Sequence, residues 1–453
     1  MMGAMGFPAE LTRRLTQVIA VEQAEHRVPS LSAAYVRDGA VAWADAVGFL
    51  DGRSSRQPAT PDAQYRIGSI TKVFVAVLVL RLVDDGRVDL TDRLDDHLRS
   101  TSIGQVTIED LLAQRSGVRA ETDEPWWERT AGRDWSELER QLALRTEARG
   151  MFHYSNVGFA VLAQLVSRLR GRPWDQVLTE EVLVPLGLVR TTVRPQPPHA
   201  VGLAVHPYAD LLLAEPEHDA GAMAPAGQLW STPTDLARVT AFLHRGDDRV
   251  LSEASRLAMR VPRSVADLPG RPWTSAYGLG LQVFNLDGIR QLGHGGSMPG
   301  FVATLRIDVA NGDSVIVMAN STTGWTSDLT ARMFELVGEH APTVPTPWTA
   351  DPDQASSAEL TGTWFWGPSP LDLHAGADGA VELRPRGQGR SSRFRPTGVD
   401  TWVGLDGYYL GETLRAVRID GRVSHWDLAS FRLTRSPYDP DADVPGGVDR
   451  PWA

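Results

Sequence analysis

Ser69-Ile70-Thr71-Lys72 places a hydroxyl and an amine three residues apart at the start of the apolar run Val73 to Val83. Positions i and i+3 share one face of a helix, so the two groups can touch. A serine at a helix N-terminus lies in the positive end of the backbone dipole, which favours its alkoxide. Lys72 is the single lysine of the chain; the other 44 of its 45 Lys+Arg residues are arginine. Arginine cannot give up its proton inside a protein, whereas a desolvated lysine can act as a base. The plain alternative is a capping serine followed by a leftover surface lysine. By composition, a serine three residues before that lysine has odds of about one in fifteen.

The elements that must hold this pair are legible in outline. The 453 residues allow two or more domains and a large core, and no low-complexity block interrupts them. A net charge of -11 argues against a generic nucleic-acid binder. The absence of cysteine removes disulfides, thiolate metal sites and a cysteine nucleophile. No stretch reaches the roughly 18 apolar residues that span a membrane, and the first residues lack the pattern of a secretory leader. The expectation is a cytoplasmic protein.

Leu11, Leu15, Val18 and Ile19 repeat at helical spacing. Two strands follow, Leu31 to Val36 and Ala40 to Val47, joined by a hairpin signal at Asp38-Gly39. After the Ser69 helix come a helix over Thr107 to Ala113 and an irregular insert, Glu121 to Arg133, carrying Trp126 and Trp127 as a pocket wall. Helices over Val157 to Leu169 and Trp174 to Val184 are next, then a long loop, Arg194 to His218. A Ser or Thr cap and Pro233 open the helix Leu236 to Leu243. Strands at Leu279 to Phe284, Gly300 to Asp308 and Ser314 to Ala319, then a helix over Thr326 to Glu339, complete an α+β layer fold. Its two ends are expected to share one antiparallel sheet. A linker over 341–358, a small C-terminal antiparallel β-barrel of about eight strands over 359–436, and a loosely held tail over 437–453 follow.

Three groups in order carry a specific resemblance: Ser69-x-x-Lys72, Tyr154-x-Asn156 and His294-Gly295-Gly296. With Leu111 to Gly117 (LLAQRSG), Pro225 to Leu236 (PAGQLWSTPTDL) and Leu292 to Phe301 (LGHGGSMPGF), the chain resembles the serine β-lactamase-like superfamily. The branch is that of class C β-lactamases, D-alanyl-D-alanine carboxypeptidases, D-aminopeptidases and family VIII esterases. The resemblance implies a β-lactamase/transpeptidase-like antiparallel sheet flanked by helices, with an all-helical subdomain, over residues 8–340. It makes Ser69 the nucleophile, which needs a base beside it. Lys72, held neutral, takes the proton; held charged, it stabilises a Tyr154 phenolate instead. Both assignments stay open here. Tyr154 is the partner that protonates the leaving group and activates water, against the alternative of an ordinary core tyrosine. Asn156 bonds Lys72 or the substrate carbonyl, caps the helix from Val157, or does both.

By the same resemblance, Gly295 and Gly296 let an edge strand approach substrate, and the N–H of Ser297 joins that of Ser69 as an oxyanion hole. The alternative is a tight turn with an exposed histidine. Many relatives carry Lys-Thr-Gly at this point, where the lysine helps bind a carboxylate. His294 is mostly neutral near pH 7, which counts against β-lactamase or carboxypeptidase activity. Gln114-Arg115 stands where relatives often read His-Thr. Trp126, Trp127 and Trp230 are candidates for an acyl pocket, and ordinary packing is the alternative. His153, His199, His206, His218 and His244 lack metal-ligand spacing, and nothing implies a cofactor. Gly362-x-Trp364 opens the barrel in a lipocalin-like way.

The expected function is a serine hydrolase acting through an acyl-enzyme on a small ester or amide, with a small molecule or short peptide as substrate. The alternatives are D-aminopeptidase, carboxypeptidase or β-lactamase activity with the same machinery, or a non-catalytic binding protein that keeps the fold. No nucleic-acid or membrane partner is expected.

Overall fold

The computed structural model describes residues 6–53, 57–98, 102–123, 126–345 and 347–437. They form two compact units divided between Thr343 and Val344. Apart from Pro437, the expected tail lies outside the described residues.

The first unit is built on a seven-stranded antiparallel sheet. Its strands are β1 (Ser30–Arg37), β2 (Ala40–Gly48), β3 (Ser275–Tyr277), β4 (Gln282–Leu286), β5 (Ile289–Met298), β6 (Phe301–Asp308) and β7 (Ser314–Ala319), in the order β2-β1-β7-β6-β5-β4-β3. Leu31 pairs with Ala319, so the ends of the unit do share one sheet. Asp38 and Gly39 both take positive φ, as a two-residue hairpin with right-handed twist requires. Period-two alternation divides the core. Leu31, Ala33 and Tyr35 face helices α1 (Ala9–Glu25) and α5 (Leu329–His340). Ala34 and Val36 face the opposite core, with helices α2 (Thr71–Asp84), α3 (Asn156–Arg170) and α4 (Pro233–Arg245).

Two expectations change. The loop Arg194 to His218 contains a hairpin, Leu203–Val205 with Leu212–Ala214, too short to leave a periodic signal. The stretch with His294 is the second half of a ten-residue strand, and β4 covers β5 only as far as Gly293. His294 to Ser297 is therefore an open edge within an otherwise interior strand.

The second unit is a closed eight-stranded antiparallel barrel: β8 (Gly362–Trp366), β9 (Ser369–Ala375), β10 (Val381–Pro385), β11 (Ser392–Gly398), β12 (Thr401–Gly404), β13 (Thr413–Ile419), β14 (Arg422–Leu428) and β15 (Phe431–Thr434). Trp364, Trp426 and Phe394 fill its interior. The stretch read as linker differs in its second half, where Pro352–Leu360 forms 3-10 turns ending in buried Leu360. Among the described residues no helix is long and apolar enough to cross a membrane.

Candidate active site

Ser69 sits in a 3-10 turn, Gly68–Ile70, that runs directly into α2. The helix is buried almost all round, from Thr71 to Leu80 and again at Leu82. Lys72 is 0% exposed as a consequence. Its Nζ lies 2.9 Å from Ser69 Oγ and donates to the carbonyl of Ala226 at 2.6 Å. Burial lowers its pKa from 10.5 to about 7, with Glu121 and Glu128 opposing part of the shift. The amine is thus half neutral near pH 7 and touches the hydroxyl it would deprotonate.

The backbone of β5 lies directly on this turn, and glycines permit it. A Cβ on Gly68, which has φ +53, would stand 2.5 Å from the Ser297 nitrogen. A Cβ on Gly296 would stand 2.0 Å from the Ile67 carbonyl oxygen. The Gly295 N–H points to the open edge, where Gln282 Oε1 accepts it at 3.2 Å. Period-two alternation turns the Ser297 N–H the same way, toward Ser69. The Ser69 N–H belongs to the first turn of its helix, where donors have no intrahelical partner. Two backbone donors therefore flank the hydroxyl.

Tyr154 is held just before α3. Ser155 caps that helix, its Oγ accepting from Gly158 N at 2.8 Å and donating to the Arg119 carbonyl at 2.7 Å. The Tyr154 hydroxyl hydrogen-bonds Ser69, and burial pushes its pKa well above the usual value. Lys72 Nζ lies 5.0 Å from its ring centroid. The expected cap, Asn156, does another job. Ser155 takes the cap position, and Asn156 Nδ2 donates to Glu121 Oε1 at 2.6 Å, while Lys72 Nζ bonds Ser69 and the Ala226 carbonyl instead.

His294 is also placed differently from a substrate-facing cation. It is 1% exposed, its Nε2 is 3.0 Å from the Tyr277 hydroxyl and its Nδ1 meets the Gly295 carbonyl. Burial lowers its pKa to about 3, so it stays neutral.

Gln114 shows its importance only in the structure. At φ +56 it accepts Ser155 N on Oε1 at 2.7 Å and His153 N on its own carbonyl at 2.7 Å. It brackets Tyr154 from both sides. A glutamine standing where relatives read histidine was the signal that could have found it.

Ser69, Tyr154 and the His294 to Ser297 edge open on a cleft of about 570 Å³. Its far wall includes Thr304, Trp325 and Arg306, whose guanidinium stacks 4.0 Å from the Phe284 ring centroid. Sequence reading missed Arg306, one arginine among many. None of the three tryptophans expected in an acyl pocket lines this cleft. Trp127 borders a separate cavity with Leu138 and Met223, Trp126 is exposed, and Trp230 is buried 5.1 Å from the Phe301 ring. Among the described residues no cluster of His, Asp and Glu is arranged to hold a metal ion.

A family model described as Beta-lactamase matches residues 15–340, and one described as Domain of unknown function (DUF7586) matches residues 353–435. The chain is 28% identical over 373 residues to Penicillin-binding protein 4 of Amycolatopsis lactamdurans, an alignment covering 75% of this chain and 94% of that one. The D-amino acid amidase from Ochrobactrum anthropi SV3, solved with L-phenylalanine amide, superposes with a TM-score of 0.60 at 25% identity, covering 73% of this chain and 96% of its own. The octameric penicillin-binding protein homologue from Pyrococcus abyssi superposes with a TM-score of 0.63 at 21% identity over 93% of this chain and 99% of its own, a likeness of fold.

Proposed function

Because this chain belongs to the Beta-lactamase family and is a serine hydrolase, we propose that it cleaves a small amide or ester through an acyl-enzyme on Ser69, with Lys72 as the base. The observation that carries this reading is the fully buried Lys72 amine 2.9 Å from Ser69 Oγ, its pKa brought to about 7. Ser69 Oγ attacks the carbonyl while Lys72 Nζ takes its proton. The negative oxygen that forms meets the N–H groups of Ser69 and Ser297. Tyr154, a neutral phenol at pH 7, hands its proton to the leaving nitrogen or oxygen and regains one from Lys72. Water then repeats the sequence on the ester and frees Ser69. Tyr154→Phe is expected to lower kcat by about a hundredfold, read from steady-state rates; an unchanged kcat would make Tyr154 a packing residue.

The carboxylate behind the catalytic pair favours an acyl group that carries an amine, while the Arg306 guanidinium on the far wall of the cleft opposes one there. Glu121 is pinned by Asn156 and by Trp127 Nε1, which donates to Oε2 at 2.7 Å, and its charge is felt at both Lys72 and Tyr154. The neutral, buried His294 offers no cation to a carboxylate beside Ser69, the cation lining the cleft being Arg306 on its far wall. The likeness to a D-amino acid amidase points the same way.

The test compares D-alanyl p-nitroanilide, its N-acetyl derivative, p-nitrophenyl acetate and nitrocefin. The free amine is expected to improve kcat/KM about tenfold or more over the acetylated compound, a gain on the scale of one charge-assisted hydrogen bond. Glu121→Gln should erase that gain mainly through KM, and nitrocefin should survive. Equal rates for the two anilides would remove the amine preference, and rapid nitrocefin cleavage would move the function to a β-lactamase.

A further inference from the structure

The barrel has an unfilled mouth. Alternation puts Trp364 and Trp366 on the inward face of β8, Leu371 and Leu373 on that of β9, Leu383 and Pro385 on that of β10, and Phe431 and Leu433 on that of β15. Trp364 pairs with Leu371, and Leu371 with Pro385, so these residues form one layer across three strands. Leu373 and Leu383 make the next layer down. The deeper layers are packed: Trp364 and Trp426 are 0% exposed, and the Trp402 ring lies 5.2 Å from that of Trp426.

The outermost layer is not packed. Trp366 faces inward yet is 51% exposed, edge-on to Phe431 at 5.3 Å. It borders a cavity of about 250 Å³ floored by buried Leu383 and Leu433 and walled by Tyr409. At the rim, Arg390 lies 3.5 Å from the Tyr408 ring centroid and hydrogen-bonds the Tyr409 hydroxyl. No carboxylate stands within ion-pair distance of Arg390 among the described residues.

We propose that this mouth binds a small planar aromatic molecule bearing an anionic group, its rings against Trp366 and Phe431 and its anion on Arg390. The size fits: an apolar cavity of about 150 Å³ takes benzene, so this one has room for two fused rings. Offset or edge-on aromatic contact is the favourable geometry for such rings. A guanidinium stacked on an aromatic face keeps its outer N–H groups for a planar anion.

The experiment is calorimetric titration of the full chain carrying Ser69→Ala, with indole-3-acetate, indole and tryptamine. Indole-3-acetate is expected to bind saturably and about tenfold or more tighter than the other two. Arg390→Gln should reduce it to the level of indole, and Trp366→Ala should abolish binding of all three. In chains that keep Ser69, both barrel variants should hydrolyse p-nitrophenyl acetate at the parental rate. No saturable heat up to millimolar concentration overturns the proposal. So does binding that survives Trp366→Ala. Equal affinity for all three compounds overturns the role of Arg390.

Discussion

Lys72→Arg is expected to lower kcat/KM by about 10³-fold or more while keeping the positive charge beside Ser69. The argument rests on proton balance rather than on charge. Ser69 can attack only if its proton goes somewhere; of the two groups that hydrogen-bond it, Lys72 Nζ and the Tyr154 hydroxyl, burial holds the phenol protonated and leaves the amine as the base. Burial lowers the lysine pKa from 10.5 to about 7. In the ammonium form it holds its proton and cannot serve as base. Below about pH 7 that form dominates, and above it the free amine does. The pH profile of wild-type kcat/KM should therefore rise with a midpoint near 7 and flatten above it. Without the shift, the neutral fraction at pH 7 would be smaller by about three orders of magnitude. Arginine titrates far above this range and should leave no such limb. The measurement is kcat/KM for p-nitrophenyl acetate between pH 5.5 and 9, for wild type, Lys72→Arg and Lys72→Met. The methionine variant fits the buried site without a charge, so a melting curve separates misfolding from lost chemistry. Full activity in a folded Lys72→Arg protein would sink the general-base account. A flat wild-type profile would sink the burial argument.

Ser69→Ala is expected to remove turnover of every substrate, by about 10⁴-fold or more, with the fold intact. The side chain makes few structural contacts. It meets Lys72 Nζ and the Tyr154 hydroxyl, and its loss leaves the burial of α2 unchanged. A stability change of about 1 kcal/mol is the scale of one lost hydrogen bond. Intact-protein mass spectrometry after brief exposure to a p-nitrophenyl ester supplies the second readout. Wild type should gain the mass of one acyl group, and Ser69→Ala should gain none. Acylation of the alanine variant at the wild-type rate would place the nucleophile elsewhere.

The sequence by itself determined the parts of this protein that depend on short-range rules. The i, i+3 spacing of Ser69 and Lys72 ahead of an apolar run requires only helical geometry, and the two side chains do meet. Asp38-Gly39 announced a tight turn because few residue pairs tolerate positive φ; Asp378-Gly379 and Asp420-Gly421 in the barrel are pairs of the same kind, and all six residues have it. Asp406-Gly407 is a fourth such pair, but there only the glycine takes positive φ and Asp406 keeps an extended backbone. Short strands between such turns made the barrel legible.

Tertiary structure decided the rest, through terms that sum over distant elements. Lys72 and a surface lysine share one letter; only the enclosure by α2, α3 and the segment of Ala226 changes its proton affinity. That Ser155 rather than Asn156 caps the helix, and that Asn156 holds Glu121, turned on Arg119 and Glu121, more than 30 positions away. Gln114 became a bracket for Tyr154 across a separation of 41 residues. His294 was expected to be mostly neutral from its intrinsic pKa, and burial beside Tyr277 fixes that state while turning the ring away from the cation role. The open edge of β5 exists because β4 stops pairing at Gly293. Local propensity places the reactive atoms near one another, but burial and long-range hydrogen bonds set their protonation and direction, and those are properties of the whole fold.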